Sequence, residues 1–217
     1  NMTSTAANNT RGLCLGGADS PQMAMNVIDF VTISTLGNFQ DFGDLQFGGR
    51  VGGAVADPIR IVQGQGIDAS ANRTQLQYVA IATLGNSMSF GDLTVANRGN
   101  AGSSDSHGGL ELGFFPRESV TYMPGSGRAL FTGGQNPSVS TSIDMTMIKT
   151  KGNSSSFGTL ATGMRSMSSA SSLTRSLSAG GYGSGYEDAI RSVEFASQGN
   201  DSDFGNLLAG TYDPQSG

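Results

Sequence analysis

A pair of short motifs, repeated four times along the chain, constrains the possible folds of this protein more than any other feature. In each copy a Gly-Asn pair is followed at a fixed spacing by Phe-Gly-x-Leu. The Gly-Asn pairs are Gly37-Asn38, Gly85-Asn86, Gly152-Asn153 and Gly199-Asn200, and the motifs that follow them begin at Phe42, Phe90, Phe157 and Phe204. Four copies with the same internal spacing indicate a repeat protein in which each copy is one supersecondary unit.

An arginine and a glycine doublet precede each Gly-Asn pair. The arginine stands five and six residues before the two glycines in three copies, and Gln65-Gly66 replaces the doublet in the remaining one. These arginines are Arg11, Arg60, Arg128 and Arg175, and each lies 24 to 26 residues before its Gly-Asn pair. We expect them to bond to backbone carbonyls or to acids at equivalent places in each repeat. The alternative is a basic ring that grips a glycan or a carboxylate.

The segment between the two motifs predicts β-strands. It is rich in β-branched and aromatic residues, as in the stretches from Ile28 to Ile33 and from Gln77 to Ile81. A shift in the phase of the apolar residues indicates a strand that is covered on both faces or that carries a β-bulge. With 33 glycines and only 13% charged residues, the composition disfavours helices. Each repeat is therefore predicted to form a small antiparallel sheet, with two or three clear strands and one weaker strand rich in Ser and Thr.

The length of the repeat favours a β-propeller, in which such sheets are blades stacked around an axis. Successive Gly-Asn pairs are 48, 67 and 47 residues apart, so we predict an all-β propeller of four repeats in a single domain over residues 1–217. From this spacing we expect the chain to begin and end inside one repeat. We therefore expect strands from both ends to share one blade and to close the ring, since closure removes exposed sheet edges. The alternative is an open array that is completed by the next chain in a polymer.

The order of these motifs resembles that of kelch-type propeller blades, which implies a kelch-like β-propeller. Arg-x-Leu-x-x-Gly-Gly is followed by a strand, a turn and an aromatic residue, although Gly-Asn and a later Phe stand where kelch blades have Trp. The repeats from Asp29 to Asn38 and from Ser89 to Ala96 are also similar to repeat proteins of marine tailed bacteriophages of the cyanophage type. This second resemblance implies a virion structural or tail-fibre protein at the particle surface, and it carries over no catalytic residue.

One connection is longer than its counterparts. Leu93 and Arg128 are 35 residues apart, whereas the corresponding step is 15 residues in two other repeats. The additional length predicts an inserted loop at about residues 97–122, and loops on a rigid scaffold are where recognition tends to reside. Its residues of the types enriched at binding hot spots, and so the predicted contacts with a partner or ligand, are Phe114, Phe115, Arg117 and Tyr122. The alternative is an extra hairpin whose aromatic residues pack beneath it.

The sequence lacks a plausible catalytic or metal-binding set, so we predict no enzymatic activity, no metal and no cofactor. The consecutive residues 105–107, Asp-Ser-His, cannot adopt the geometry of a catalytic triad. A single histidine and a single cysteine, Cys14, exclude a zinc site rich in these ligands within one chain. We expect Cys14 to be a small buried hydrophobe. Carboxylates near Asp41 and Asp201 have oxygen ligands suited to calcium, but we favour a role in stabilising turns.

Charge and hydropathy narrow the possible partners. A net charge of −5 disfavours binding to nucleic acid, and the absence of an apolar run of roughly 20 residues argues against membrane insertion. We therefore expect a non-enzymatic component of a virion or similar surface assembly, such as a tail fibre or a decoration protein, located at the outer surface of the particle. Its partners would be other proteins of that oligomeric assembly and a host-surface ligand such as a glycan.

Two further functions are compatible with the repeats. One is a secreted propeller that binds or cleaves carbohydrate at its axis, and cleavage would require two carboxylates roughly 5 to 9.5 Å apart. The glutamates do not fall at matched positions of the repeat; they are Glu111, Glu118, Glu187 and Glu194. The other function is a polymerising subunit of a surface fibre in which neighbouring chains exchange strands.

Overall fold

All regular structure in the described part of the chain is β, as the glycine-rich repeats predicted. The computed structural model describes residues 3–19, 23–64, 66–68, 70–106 and 126–212. Sixteen strands in these residues form four separate sheets, and each sheet consists of four antiparallel strands that follow one another along the chain. Each repeat is therefore one complete sheet built from a contiguous stretch of sequence.

The sheets are numbered here in chain order. Sheet 1 contains β1 (Ser4–Ala7), β2 (Arg11–Leu15), β3 (Val27–Thr32) and β4 (Gln40–Asp44). Sheet 2 contains β5 (Ala54–Ala56), β6 (Arg60–Gly64), β7 (Arg73–Ala80) and β8 (Met88–Asn97). Sheet 3 contains β9 (Ala101–Ser104), β10 (Arg128–Thr132), β11 (Ser142–Met147) and β12 (Ser155–Thr159). Sheet 4 contains β13 (Ser168–Ser171), β14 (Arg175–Ala179), β15 (Glu187–Glu194) and β16 (Ser202–Thr211).

The Phe-Gly motif forms a β-bulge in the fourth strand of every sheet. Residues on either side of the phenylalanine pair with consecutive residues of the third strand, so that Phe42, Phe90, Phe157 and Phe204 are each the extra residue. The glycine that follows has a φ of 145° at Gly43 and 151° at Gly205, a conformation that glycine adopts readily. The motif therefore encodes the same local distortion four times.

The third strand of a sheet carries apolar side chains on both faces. In β7, Leu76 belongs to one hydrophobic cluster and Val79 belongs to another, on the opposite face of the sheet. Side chains on the two faces of a strand alternate with a period of two residues. Coverage on both faces therefore accounts for the shift in apolar phase in the sequence.

The buried apolar residues in the described part of the chain form three hydrophobic clusters, and each of them lies between two consecutive sheets. The phenylalanine of a Phe-Gly motif shares a cluster with an apolar residue of the next sheet, in the pairs Phe42 and Ile81, Phe90 and Ile148, and Phe157 and Phe195. The first strands of the sheets also contact one another in chain order, β1 with β5, β5 with β9, and β9 with β13. This succession of sheets is compatible with a propeller-like arrangement.

Strands from the two ends of the chain lie in different sheets, so the prediction that they share one blade is wrong. β1 pairs with β2 in sheet 1, and β16 pairs with β15 in sheet 4. The reason is that the weak strand rich in small residues comes first in each repeat, as in β1 and β13, and the Phe-Gly strand comes last. Each repeat therefore supplies all four strands of its own sheet.

The first part of the predicted inserted loop is regular structure. β8 continues to Asn97, and residues 101–104 form β9, the first strand of sheet 3. The additional chain of this repeat therefore lies between β9 and β10, and residues 107–122 of the predicted loop lie outside the described residues.

Candidate functional site

The Gly-Asn pairs connect neighbouring sheets. The Gly85 N–H donates to the Phe42 carbonyl at 2.9 Å, and Asn86 Oδ1 accepts the Asp44 N–H at 3.0 Å. The next two junctions repeat the asparagine bond, with Asn153 accepting from Asp92 at 3.1 Å and Asn200 accepting from Thr159 at 3.0 Å. A Cβ atom at Gly91 or Gly158 would overlap the carbonyl of the Gly-Asn glycine opposite. The repeated glycines and asparagines therefore form the junctions between sheets.

Three of the four repeated arginines also cross a junction. Nη1 of Arg11 donates to the Ile81 carbonyl at 2.6 Å, and Nη1 of Arg60 donates to the Lys149 carbonyl at 3.1 Å. Arg128 bonds in the same way to the Phe195 carbonyl. Arg175 instead pairs with Glu194 of its own sheet, at 2.7 Å from Nε. These guanidinium groups are thus bonded to the protein itself, and the alternative of a basic ring facing a ligand has no support here.

A further repeated element, which the sequence analysis did not identify, is a side chain that caps the turn before the arginine in three of the repeats. Asn8 Oδ1 accepts the N–H of Arg11, Asp57 Oδ1 accepts that of Arg60, and Ser172 Oγ accepts that of Arg175. Each cap stands three residues before its arginine, and this spacing could have revealed it in the sequence. In sheet 3 the extra chain intervenes, and Asp105 takes the role by accepting the N–H groups of Ser126 and Gly127. Asp105 is therefore a structural residue.

The carboxylates considered as calcium ligands are hydrogen-bonded to the backbone. Asp41 Oδ1 accepts the Gly43 N–H at 3.1 Å, and Asp201 Oδ1 accepts the Ala161 N–H across a junction at 2.8 Å. Among the described residues, no group of three or more His, Cys, Asp or Glu side chains is placed to hold a metal ion. These aspartates therefore stabilise a turn and a junction.

Cys14 is half-buried in the middle strands of sheet 1. It lies opposite Asp29 in the pairing of β2 with β3. Burial, and secondarily the negative charge of Asp29, raises the pKa of the Cys14 thiol above its usual value. The thiolate is the reactive form of cysteine, so this environment disfavours a role as nucleophile at neutral pH.

The predicted contact residues of the inserted loop cannot be placed in the fold. Phe114, Phe115, Arg117 and Tyr122, together with His107, lie outside the described residues. The described structure instead brings together two other features that are suited to recognition, an axial groove and a cluster of tyrosines.

The axial groove is an open cavity of about 470 Å³ between the first strands of the four sheets. Its walls are formed by small residues, including Ser4 from β1, Ala54 from β5, Gly102 from β9 and Ser169 from β13. Tyr212 is the aromatic residue among those that line it. The groove is therefore lined by polar side chains and backbone groups, and the Ser4 and Ser169 hydroxyl groups are bonded to backbone carbonyls.

The tyrosine cluster comprises Tyr182, Tyr186 and Tyr212, with Arg165 against them. The three ring centroids are 6.1 to 6.2 Å apart, and Tyr182 meets each of the other two rings in an edge-to-face arrangement. The guanidinium carbon of Arg165 lies 5.1 Å from the centroid of Tyr182 and 5.5 Å from that of Tyr212. Nη1 of Arg165 also donates to the Tyr212 hydroxyl at 3.3 Å. Tyr186 is 70% exposed to solvent and Tyr212 is 47% exposed.

Backbone hydrogen bonds hold the members of this cluster together. Arg165 and Tyr182 exchange two N–H to carbonyl bonds of 2.9 and 3.0 Å, and the Gly181 N–H donates to the Thr211 carbonyl at 2.8 Å. Gly181 has a φ of 99°, which glycine adopts readily and other residues adopt rarely. The cluster is thus assembled from three separate stretches of chain, and the closely spaced Tyr182 and Tyr186 were its signal in the sequence.

The chemistry of the cluster suits contact with a ligand or a protein surface. Tyrosine offers a large, rigid contact area at a low cost in conformational entropy, and its hydroxyl group adds a hydrogen bond. Tyrosine and arginine are also enriched among the residues that dominate binding energy. We therefore take this exposed group as the candidate functional site.

No protein-family model and no curated protein sequence matches this chain. The described residues include no helix that is long and apolar enough to cross a membrane.

Proposed function

We propose that this chain is a non-enzymatic structural and binding component of a phage virion or a similar surface assembly. In this proposal its four sheets are blades of a kelch-like propeller, and loops at one end of the blades contact a partner subunit or a host-surface ligand. The proposed location is the outer surface of the particle. This setting rests on the resemblance of the repeats to those of tailed-phage proteins, which is an expectation from the sequence.

The observation that carries the proposal is the exposed tyrosine cluster on a hydrogen-bonded scaffold. Tyr186 and Tyr212 expose aromatic surface, although soluble proteins usually bury residues of this size at least in part. Arg165 stacks on two of the rings and restrains them. A preorganised aromatic surface loses little entropy on binding, which favours recognition of a partner.

The test is to remove the exposed rings and to measure binding to a glycan array and to host cells. We expect Tyr186→Ala and Tyr212→Ala each to weaken binding by at least about tenfold, as is typical of hot-spot residues. Tyr186→Phe, which keeps the ring, should retain most of the binding if stacking dominates. Leu84→Ala is the matched control, because Leu84 is an exposed apolar residue in the turn between β7 and β8 of sheet 2, whereas the cluster residues flank the strands of sheet 4.

Antibodies to the chain should label the surface of intact particles and block their attachment to host cells. Absence of the chain from purified particles would contradict the virion assignment. Release of sugar from any bound glycan by the wild-type chain would contradict its non-enzymatic character. Binding that is unchanged in both alanine variants would remove the cluster from the proposal.

The axial groove favours a second candidate function, the binding of carbohydrate by a secreted propeller. Its hydroxyl and backbone groups are suited to a ligand rich in hydroxyl groups, and Tyr212 adds an aromatic face. Cleavage is less well supported, because Glu187 and Glu194 lie at opposite ends of β15, about 23 Å apart at the usual rise of a strand. That separation exceeds the roughly 9.5 Å within which paired catalytic carboxylates work.

One deletion in the inserted loop and one substitution in the groove would separate these candidates. Removal of residues 107–122 tests recognition by the inserted loop while leaving β9 intact. Thr5→Tyr narrows the groove from β1, where Thr5 is exposed and lines the cavity. Loss of glycan binding in Thr5→Tyr alone would favour the axial site, and loss in the Tyr186 variant alone would favour the tyrosine cluster.

A further inference from the structure

The two outer faces of the stack of sheets expose residues that the three internal junctions bury. At the internal junctions the phenylalanines Phe42, Phe90 and Phe157 are each only 3% exposed, whereas Phe204 of sheet 4 is 52% exposed. Around Phe204, the side chains of Leu177, Ile190 and Leu207 are half-buried, although their counterparts in sheets 1 to 3 are buried. These four residues, with Leu208, form what we call the tail face.

Sheet 1 exposes the opposite half of a junction. Ile81 and Ile148 are fully buried at the internal junctions, but the equivalent Ile33 is 53% exposed. Val31 is half-buried, whereas its counterpart Val79 is buried. The exposed surface of sheet 1 formed by Val31, Ile33, Gly37, Asn38 and Phe39 is called the head face.

We infer that the tail face of one copy of this chain docks onto the head face of a second copy, head to tail. The three internal junctions show which surface covers a tail face, namely the head face of the next repeat. Both halves of a junction are present on one chain, at opposite ends of the stack. Two different but complementary faces on one chain make a heterologous, head-to-tail contact between identical chains.

The two faces carry the donors and acceptors of the polar bonds that the internal junctions make. Asn38 corresponds to Asn86, Asn153 and Asn200, so its side-chain oxygen is expected to accept the Asn206 N–H of the second copy. Arg175 corresponds to the three arginines that reach across junctions, and its expected acceptor is the Ile33 carbonyl. In the single chain Arg175 pairs with Glu194 at the surface, a contact of little energetic value in solvent.

A difference between the end repeats and the internal ones points to a second copy of this chain as the occupant. At the first junction the Gln46 N–H donates to Ser87 Oγ at 2.7 Å, and at the third the Ala161 N–H donates to Asp201. The head face has Phe39 where the internal repeats have Ser87, Ser154 and Asp201. The tail face has Leu208 where they have Gln46, Thr94 and Ala161.

Both outer faces therefore carry a large apolar residue at positions that would meet. Phe39 and Leu208 are exposed in the single chain, and head-to-tail docking would bring them together and bury them. Asp29 of sheet 1 also occupies the position of Asp144, whose Oδ2 accepts the Thr94 N–H at 2.7 Å at the second junction. Asp29 would accept the Leu208 N–H in the same way. The two faces thus match each other in apolar surface and in hydrogen bonds.

The experiment uses two variants of the full chain, each with one blocked face. Ile33→Asp blocks the head face and Phe204→Asp blocks the tail face, because each would bury an unpaired charge in the contact. Both positions are exposed in the single chain, so folding should be retained, as circular dichroism would show. We expect wild-type protein to associate with rising concentration, and each variant alone to associate at least about a hundredfold more weakly.

An equimolar mixture of the two variants is the decisive sample. Each variant keeps one intact face, so the mixture should form a 1:1 complex of twice the 22.2 kDa chain mass and nothing larger. Leu84→Asp is the control and should associate like wild type, because Leu84 is exposed beside an internal junction. Sedimentation or native mass spectrometry would measure all five samples.

Several outcomes would overturn the inference. They are a wild-type chain that stays monomeric up to about 0.1 mM, a mixture that forms no complex, and single variants that still pair with themselves. A monomer in which Ile33 and Phe204 are both protected from solvent would instead mean that the faces meet within one chain. The assembly test is independent of the tyrosine cluster: Tyr186→Ala should leave association unchanged, and Phe204→Asp should leave ligand binding at the cluster unchanged.

Discussion

Phe90 and Phe204 occupy the same position of the same motif, but one lies in a closed junction between sheets and the other lies on an open face. Both are the extra residue of a β-bulge, and both precede a glycine. Phe90 is buried because sheet 3 lies against it, whereas no described part of the chain covers Phe204. Burial in this protein therefore depends on what stands opposite a motif, and identical local structures differ in their contribution to stability.

The sharpest way to test this comparison is to truncate each phenylalanine in dilute solution. Phe90→Ala should lower the free energy of unfolding by about 3–5 kcal/mol, because it leaves a cavity in a closed cluster. Phe204→Ala should lower it by less than about 1 kcal/mol, because half of the ring is already in water. Urea unfolding followed by circular dichroism measures both values. Equal losses in the two variants would contradict the contrast between closed and open faces.

The second test uses two glycines on opposite sides of one junction. A methyl group at Gly158 would overlap the carbonyl of Gly199, whereas a methyl group at Gly199 would meet open space. Gly158→Ala should therefore destabilise the chain by about 1–3 kcal/mol, as overpacking does. Gly199→Ala should change stability by no more than about 0.5 kcal/mol. Thermal unfolding of the pair is sufficient, and a neutral Gly158→Ala would mean that the sheets separate easily.

The third test compares an arginine in a closed junction with its counterpart beside the open face. Arg11 donates to the Ile81 carbonyl of the next sheet and lies over the Phe30 ring at 5.0 Å. Arg11→Met should lower the free energy of unfolding by about 1–2 kcal/mol through loss of that bond. Arg175→Met removes only an exposed ion pair with Glu194, so we expect a loss below about 0.5 kcal/mol. A larger loss of stability in Arg175→Met than in Arg11→Met would show that the bond across the junction contributes little.

The smallest effect on stability is expected at Asp68, in a surface turn of sheet 2. This turn belongs neither to a closed junction nor to an open face, so it serves as a reference. The N–H groups of Ser70 and Ala71, and then the Arg73 side chain, lower the pKa of Asp68 from 3.8 to about 2. A lowered pKa stabilises the folded state above about pH 4, and this contribution is lost as the pH falls from about 4 to 2. Asp68 is partly exposed, so the contribution is below about 1 kcal/mol.

The measurement is the stability of wild type and Asp68→Asn as a function of pH. The difference between them should be constant above about pH 5 and should decrease as the pH falls through about 2, the pKa of Asp68 in the folded state. A difference that does not decrease over this range would assign the effect of the substitution to lost hydrogen bonds and not to charge.

Much of the fold could be predicted from the sequence because the repeat is local and regular. The spacing of Gly-Asn, Phe-Gly and arginine indicated four small antiparallel sheets, and four such sheets are present. The strand order at the chain ends could not be predicted in this way. A weak strand such as β1, with the sequence Ser-Thr-Ala-Ala, carries too little pattern to show whether it pairs before or after its neighbours.

The candidate site was largely beyond the reach of the sequence. Arg165, Tyr182 and Tyr212 come from three different stretches of chain, and backbone bonds between a linker, a loop and the end of β16 bring them together. Contacts between such distant stretches leave no periodic signal in the sequence. The sequence therefore predicted the binding residues in the inserted loop, where aromatic residues are close together along the chain. The junction roles of the repeated arginines were partly foreseen because each repeat offers the same acceptor at the same spacing.

By itself the sequence determined that the chain forms repeated β-sheets and that glycine stands where backbones approach closely. It also determined that every repeat carries both a Phe-Gly motif and a Gly-Asn pair, the two halves of a junction between sheets. Those properties depend on residue type and on short spacings, which the sequence states directly. The tertiary structure alone decided which faces are closed, which are left open at sheets 1 and 4, and where the tyrosines meet. The burial of a face and the meeting of the three tyrosines depend on how whole sheets are placed relative to one another. Many weak contacts along three junctions determine that placement, and no single motif encodes it.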